Sequence, residues 1–404
     1  GGSRSHPPAG AAAARGPGAM TDFEGTSIIE VRQPINVDKL QAYLEQHAEN
    51  GAKRFGGGRL ELKQFNNGAS NPTYFIQTPA GEKFVVRKKP PGKLLPGAHQ
   101  VDREYRVQRA LAGTGVPVPE VLALCQDPEV LGQDFYVMKY VPGRIFHDTI
   151  NRGARLPSLK PEERVALYND VIRVLALMHS MDYKKLGLEG YGKVGNYAMR
   201  QVKTWTRNYR AQDEIVVKAA REDGLSWTPS RMEELRAYLE TTAGSIVEPT
   251  AITHGDYRLG NLIIHPEEPR IVAVLDWELS TLGHPLADLA WLCKPWASST
   301  YGLYSKDGSL PEGVPSQEEF VQLYARNRGW ASLDAKEWDF FRALDCFRSV
   351  GINHGVYARS VMGNAASSTV RSAGASLDDL VRLGLSFANG TYQSPGSPKQ
   401  SSRL

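Results

Sequence analysis

The hydrophobic pattern of this chain changes period at Pro142-Gly143. Ahead of that point, Leu60–Phe65, Thr73–Thr78, Lys83–Arg87, Val118–Leu124 and Phe135–Tyr140 read as strands, with turn signals at Asn66-Asn-Gly68 and Pro79-Ala-Gly81. Helical spacing marks Val37–His47 and Val101–Leu111, the second stopped by Gly113 and Gly115. A five-stranded antiparallel sheet carrying a helix is the expectation for this stretch. Beyond Pro142-Gly143 the apolar spacing is helical, over Pro161–Met181, Met199–Arg221, Ser230–Ala243, Ser316–Arg328, Ala335–Tyr357 and Leu377–Phe387. A single hairpin, Asn261–His265 with Arg270–Asp276, interrupts the helices. The fold class is therefore α+β. Its parts are an extension without structure over 1–20, a small β-rich lobe over 37–141, a helical lobe over 142–390 and a flexible tail over 391–404.

Composition limits what such a chain can do. Its 404 residues are 41% hydrophobic and 23% charged, enough to bury a large core. Forty-eight Lys and Arg against 44 Asp and Glu leave a charge of +4, too small for a protein that coats nucleic acid. No apolar run reaches the roughly 20 residues of a membrane span, so neither nucleic acid nor membrane is an expected partner. Cys125, Cys293 and Cys346 form no CxxC pair and read as reduced, buried thiols. Residues 1–19 contain no acid and no large apolar side chain, so they cannot offset their own ordering entropy.

The chemistry concentrates around the hairpin. His254-Gly-Asp256-Tyr-Arg258-Leu-Gly-Asn261 precedes it, and Asp276-Trp-Glu278 ends it. Phosphoryl transfer from a nucleotide needs a carboxylate at the acceptor hydroxyl, oxygen ligands for Mg²⁺ and cations over the charge that develops. Asp256 and Asn261 place an acid and a neutral oxygen donor on one loop, and the hairpin returns Asp276 to the same edge. The order matches H-R-D-x-x-x-x-N followed by D-F-G, with Gly for Arg and Trp-Glu for Phe-Gly. Arg258, two residues beyond Asp256, can neutralise the transferred phosphate or pair with a neighbouring acid. His179 reads as a packed helix residue, and His284 with Asp288 as a helix start that supports the metal loop. Trp205, Trp277, Trp291 and Trp296 either pack the core or line an acceptor pocket.

From about Val37 to Phe387 the chain resembles the aminoglycoside phosphotransferase family of kinase-like enzymes. It resembles more narrowly the kinase domain that opens acyl-CoA dehydrogenase family members 10 and 11. The phrases Arg87-Lys-Lys-Pro-Pro-Gly92, Gly190-Tyr-Gly192 and Val274-Leu-Asp276-Trp-Glu278 through Ala290 carry the narrower likeness. The resemblance implies a bilobal protein-kinase-like fold, with ATP between the lobes, Asp256 as catalytic base and Asn261 and Asp276 on Mg²⁺. It makes Asn66-Asn-Gly68-Ala-Ser70-Asn71 the nucleotide loop, with Gly68, Ser70 and Asn71 at the phosphates. Arg87 stands where kinases carry lysine, with Glu104 as its partner. Met138 and Tyr140 flank the linker whose backbone meets adenine. The dehydrogenase part of those relatives is absent, which leaves a fragment and a stand-alone kinase both open, with an acyl-CoA dehydrogenase as a candidate partner.

The acceptor is expected to be a small molecule. The basic run Arg87-Lys-Lys-Pro-Pro-Gly-Lys93 suits a polyanion, and with the resemblance this favours a hydroxyacyl-CoA with the hydroxyl at C4 as the expected acceptor. An amino alcohol, sugar or aminoglycoside, or a silent nucleotide-binding scaffold, are the alternatives. Ser402-Arg403-Leu404 is a variant of S-K-L, so the expected address is the peroxisome through its import receptor. Mitochondrion and cytoplasm are the alternatives.

Overall fold

The computed structural model describes residues 20–23, 26–66, 71–92, 99–146, 156, 159–297, 303–305, 307–362 and 374–395. Gly68, Ser70, Lys93 and Ser402–Leu404 lie outside the described residues. Two compact units divide the chain: the residues up to Asp102 with Val121–Arg144, and Arg103–Glu120 with the chain from Ile145 onward.

The first unit is built on seven antiparallel strands rather than five. They are β1 (Met20–Phe23), β2 (Thr26–Ile29), β3 (Glu61–Phe65), β4 (Thr73–Gln77), β5 (Lys83–Lys88), β6 (Val121–Cys125) and β7 (Phe135–Lys139), in the order β1-β2-β3-β4-β5-β7-β6. The two additional strands begin at Met20, the last residue of the stretch expected to lack structure. They are four residues each, too short to announce themselves by alternation, and β2 is held by pairing Ile28 opposite Phe65 of β3.

Four helices accompany these strands: α1 (Val37–His47), α2 (Gly51–Phe55), α3 (Val101–Leu111) and the single turn α4 (Pro128–Leu131). Asn36 caps α1 by accepting from the Lys39 N–H at 2.9 Å. Leu40, Leu44 and Phe55 pack against Tyr74, Ile76, Phe84 and Val86. Because successive strand residues face opposite ways, Phe84, Val86 and Lys88 share that covered face, while Val85 and Arg87 point to the other. From Arg103 onward, α3 belongs to the larger unit, since Val107, Leu111 and Val116 join that unit's core.

The larger unit contains α5 (Pro161–Ser180), α6 (Tyr197–Arg210), α7 (Asp213–Glu222), α8 (Pro229–Ala243), α9 (Pro285–Leu292), α10 (Lys294–Ala297), α11 (Gln317–Asn327), α12 (Ala335–Val361) and α13 (Leu377–Ala388). The run expected as one helix over Met199–Arg221 is two. Gln212 leaves the helical backbone at φ −131°, and Asp213 then accepts from Trp227 Nε1 and meets His354 Nε2 at 3.1 Å. Long-range partners, invisible to local spacing, redirect the chain there.

Two short ladders sit among these helices. β9 (Leu262–Ile264) pairs with β10 (Ile271–Val274), which is the expected hairpin. β8 (Ala251–Thr253) pairs with β11 (Thr281–Gly283), a ladder the sequence did not announce because each strand is three residues long. All three cysteines are free and buried. No helix among the described residues is long and apolar enough to cross a membrane.

Candidate active site

The loop between β8 and β9 is held by one buried carboxylate. Asp288, on the first turn of α9, accepts from the backbone N–H of His254 at 2.6 Å and of Gly255 at 2.8 Å. Burial alone would push its carboxyl up. The His179 hydrogen bond and the nearby His254 outweigh that and hold it below the usual range. His179 Nε2 lies 3.2 Å from Asp288 Oδ2, and its Nδ1 lies 2.7 Å from the Tyr324 hydroxyl. Burial depresses the His179 pKa and raises that of Tyr324, so a neutral imidazole donates to Asp288 and accepts from the phenol. Asp288 therefore supports the loop that carries Asp256, whereas the sequence pointed to the loop that carries Asp276.

His254 is fully buried. Its Nε2 donates to the Leu275 carbonyl at 2.8 Å, and its Nδ1 accepts from the Asp256 N–H at 3.2 Å. One imidazole thus ties the loop to the end of the hairpin. Gly255 has φ +82°, and a Cβ there would fall 2.6 Å from the Leu279 carbonyl oxygen. Only glycine fits both conditions.

The hairpin register brings the acids to one end. Val274 opposes Leu262, and Leu275 N–H donates to the Asn261 carbonyl at 2.8 Å, so Asp276 follows one residue past that pairing. Asn261 Nδ2 donates to the Asp256 carbonyl at 2.9 Å and to Asp256 Oδ2 at 2.8 Å. That spends its amide nitrogen and leaves Oδ1 as an acceptor. Arg258 Nε also donates to Asp256 Oδ2, at 3.2 Å. Arg258 thus pairs with a neighbouring acid, one of its two expected roles. Both bonds fall on Oδ2, so Oδ1 of Asp256 remains for a further partner. Asp276 adopts left-handed backbone at φ 64°, an unusual setting for a residue with a side chain and one found at functional sites.

A half-buried carboxylate and an amide oxygen are hard donors that suit Mg²⁺, which commonly takes only one or two carboxylates and fills its shell with phosphate oxygens and water. The residues present fit that ion. Among the described residues no group of three His, Cys, Asp or Glu gathers for a metal.

Beside this loop lies a group that sequence reasoning missed. Arg348, on α12, donates to the Gly255 carbonyl at 2.6 Å. Its guanidinium sits 4.5 Å from the Trp291 ring centroid, and the Lys294 ammonium lies 4.1 Å from the same ring. Lys294 also approaches Asp345 at 4.0 Å. Arg348 lies 93 residues from Gly255 in sequence, so no local signal announced it. Trp277 and Trp296 are core residues, while Trp205 and Trp291 are half-buried.

In the smaller unit, Asn71 is buried, with Oδ1 2.9 Å from His99 Nδ1, and its carbonyl accepts from the Thr73 hydroxyl. Arg87 lies on β5 between Thr73 and Tyr136, half-buried. Met138 pairs with Val85, and Tyr140 donates its N–H to the Lys83 carbonyl at 3.1 Å and meets the Phe75 ring edge-on. Glu104 is fully buried on α3, in the portion that packs with the larger unit. The basic run does not present three loose cations. Lys89 pairs with Asp134 at 2.6 Å and approaches Asp102 at 3.9 Å, while Lys88 turns to the covered face of the sheet.

A helical unit with this loop and hairpin, in a chain that also carries an antiparallel sheet, defines the kinase-like phosphotransferases. Residues 61–334 match the model of the phosphotransferase enzyme family (APH), and the chain belongs to that family. It is 40% identical over 383 residues to acyl-CoA dehydrogenase family member 11 of Pongo abelii, covering 93% of this chain and 46% of that protein. It is 40% identical to acyl-CoA dehydrogenase family member 10 of Mus musculus, over 86% of this chain and 31% of that one. The chain thus spans less than half the length of these relatives. Among solved structures, a candidate aminoglycoside phosphotransferase from Ralstonia eutropha is 36% identical, with a TM-score of 0.73 over 89% of this chain and all of that one.

Proposed function

We propose that this chain transfers the γ-phosphate of ATP, with Mg²⁺, to a hydroxyl group of a small molecule, and that the acceptor is a hydroxyacyl-CoA. The observation that carries the phosphotransfer reading is the Asn261–Asp256 bond at the end of a hairpin that also returns Asp276. Asp256 Oδ1, which carries neither the Arg258 nor the Asn261 bond, accepts the acceptor's hydroxyl proton as that oxygen attacks phosphorus. Asn261 fixes the carboxylate plane through Oδ2. Asn261 Oδ1 and the Asp276 carboxylate hold Mg²⁺, which when bound neutralises charge on the phosphate oxygens. Arg258, half-exposed beside Asp256, supplies a cation for the charge that develops on the transferred group. In the smaller unit, Asn71 and Arg87 serve the phosphates, and Met138 and Tyr140 the adenine.

The acceptor class follows from what stands beside the catalytic loop. Lys294 and Arg348 flank Trp291, with Asp345 against Lys294, which leaves a net cationic and aromatic setting. Polycationic aminoglycosides and choline would meet like charge there, whereas a thioester carbonyl or an anionic coenzyme would meet complementary charge. The relatives named for acyl-CoA chemistry support the same class.

The deciding experiment is a phosphotransfer assay with ATP·Mg²⁺ against 4-hydroxyacyl-CoA thioesters, choline, a simple sugar and kanamycin. Turnover confined to the thioesters is the expected result. Turnover only on choline, the sugar or kanamycin overturns the acceptor assignment, and turnover on none of them overturns the acceptor together with the enzyme reading.

A further inference from the structure

Lys88 ends β5 on the sheet face opposite Arg87, and it is 7% exposed. Lysine is almost never buried to this degree without a partner, because removing an ammonium from water is costly. Yet among the described residues its ammonium makes a single hydrogen bond, a long 3.4 Å contact from Nζ to the Lys89 carbonyl, and no carboxylate pairs with it. Burial accordingly lowers its pKa. Lys88 lines a cavity of about 650 Å³ between the covered face of β4 and β5, the start of α1 and α4. Arg32 and Lys39 line the same cavity, and Glu129 is the one acid among its described lining residues. Asn36 and Lys39 bring the first turn of α1 to it, and the positive end of that helix adds to the field.

We propose that this cavity is an anion site that takes a phosphate group, and that Lys88 is its buried anchor. Three cations against one carboxylate leave an excess of two positive charges, which matches a phosphate dianion better than a single carboxylate. Because β5 turns Lys88 and Arg87 to opposite faces, the site is separate from the residues assigned to phosphotransfer and does not depend on that assignment. The phosphate belongs either to the free ion or to a coenzyme that carries one.

The test is calorimetric titration of the full chain, with its nucleotide site first saturated by a non-hydrolysable ATP analogue and Mg²⁺. The titrants are inorganic phosphate, pyrophosphate, coenzyme A and dephospho-coenzyme A. One equivalent should bind, more weakly as salt rises. Binding of the inorganic ions identifies a free-phosphate site. Binding of coenzyme A alone that Lys88→Met weakens identifies the coenzyme's phosphate, whereas coenzyme A binding that Lys88→Met leaves unchanged lies elsewhere and overturns the site. Lys88→Met should weaken binding about tenfold or more while nucleotide affinity stays unchanged. Arg32→Gln, at an exposed position that folding does not need, should weaken it several-fold. Failure of all four titrants to bind the wild-type chain overturns the site, as does unchanged binding by Arg32→Gln.

Discussion

Asp288 accepts the backbone N–H of Gly255 at 2.8 Å, and with its other oxygen that of His254 at 2.6 Å, so a single side chain from α9 sets the path of the loop carrying Asp256. Both bonds are to a charged acceptor in a fully buried place, where such bonds are strong and their loss is costly. Asp288→Asn keeps the shape and turns an amide N–H₂ toward a donor. We expect a loss of about 1–3 kcal/mol in stability, read from denaturant midpoints. We also expect kcat to fall more than the affinity for ATP. Equal loss of both would show a general unfolding effect instead.

Asp256→Asn should lower turnover by about 10²–10⁴-fold. Asn261 can still donate to the new side-chain oxygen, so the loop should keep its shape and nucleotide binding should persist. Single-turnover kinetics with ATP·Mg²⁺ read this directly, and unchanged turnover would remove Asp256 from the chemistry.

Asp276→Ala should abolish the Mg²⁺ dependence of nucleotide binding, because the other assigned ligand, Asn261, brings no charge. The thermal shift given by ATP with Mg²⁺ should fall to that given by ATP with EDTA. A shift equal to that of the wild-type chain would move the metal elsewhere.

Gly255→Ala tests the backbone itself. Its φ of +82° and the 2.6 Å approach to the Leu279 carbonyl leave no room for a methyl group. The expected cost is about 1–3 kcal/mol with a large loss of activity. A variant as stable and active as the wild-type chain would show that the loop adapts.

His284 caps α9, accepting from the Leu286 N–H on Nδ1 and donating from Nε2 to the Val247 carbonyl. Burial pulls its pKa from 6.5 down to about 4. The unfolded chain therefore takes up a proton that the folded one refuses, and this stability is present above about pH 6.5 and lost as pH falls toward 4. The loss by pH 4 is about 3 kcal/mol. Urea midpoints at pH 7, 5.5 and 4 should fall less steeply in His284→Asn than in the wild-type chain. Equal slopes would assign the acid sensitivity to other groups.

Much of this protein was legible in the chain itself. Strand alternation in β3, β4, β5 and β7, the long apolar period of α5, and the Asp256, Asn261 and Asp276 spacing are local properties, set by side-chain order along a few turns or pleats. The hairpin that reunites Asn261 with Asp276 is local as well, because its two strands adjoin in sequence. What required the tertiary structure was everything whose partner is distant. Arg348 reaches Gly255 across 93 residues, and Asp288 reaches His254 across 34. Lys88 and Lys89 look alike in sequence, yet strand alternation buries one while Asp134 pairs the other. Strands as short as β8 and β11 carry too little pattern to stand alone, and only their pairing stabilises them. Local order dictated the longer elements and the spacing of Asp256, Asn261 and Asp276. Charge partners, and with them the shape of the loop carrying Asp256, were decided by packing, because burial and long-range hydrogen bonds exist only once the chain has folded.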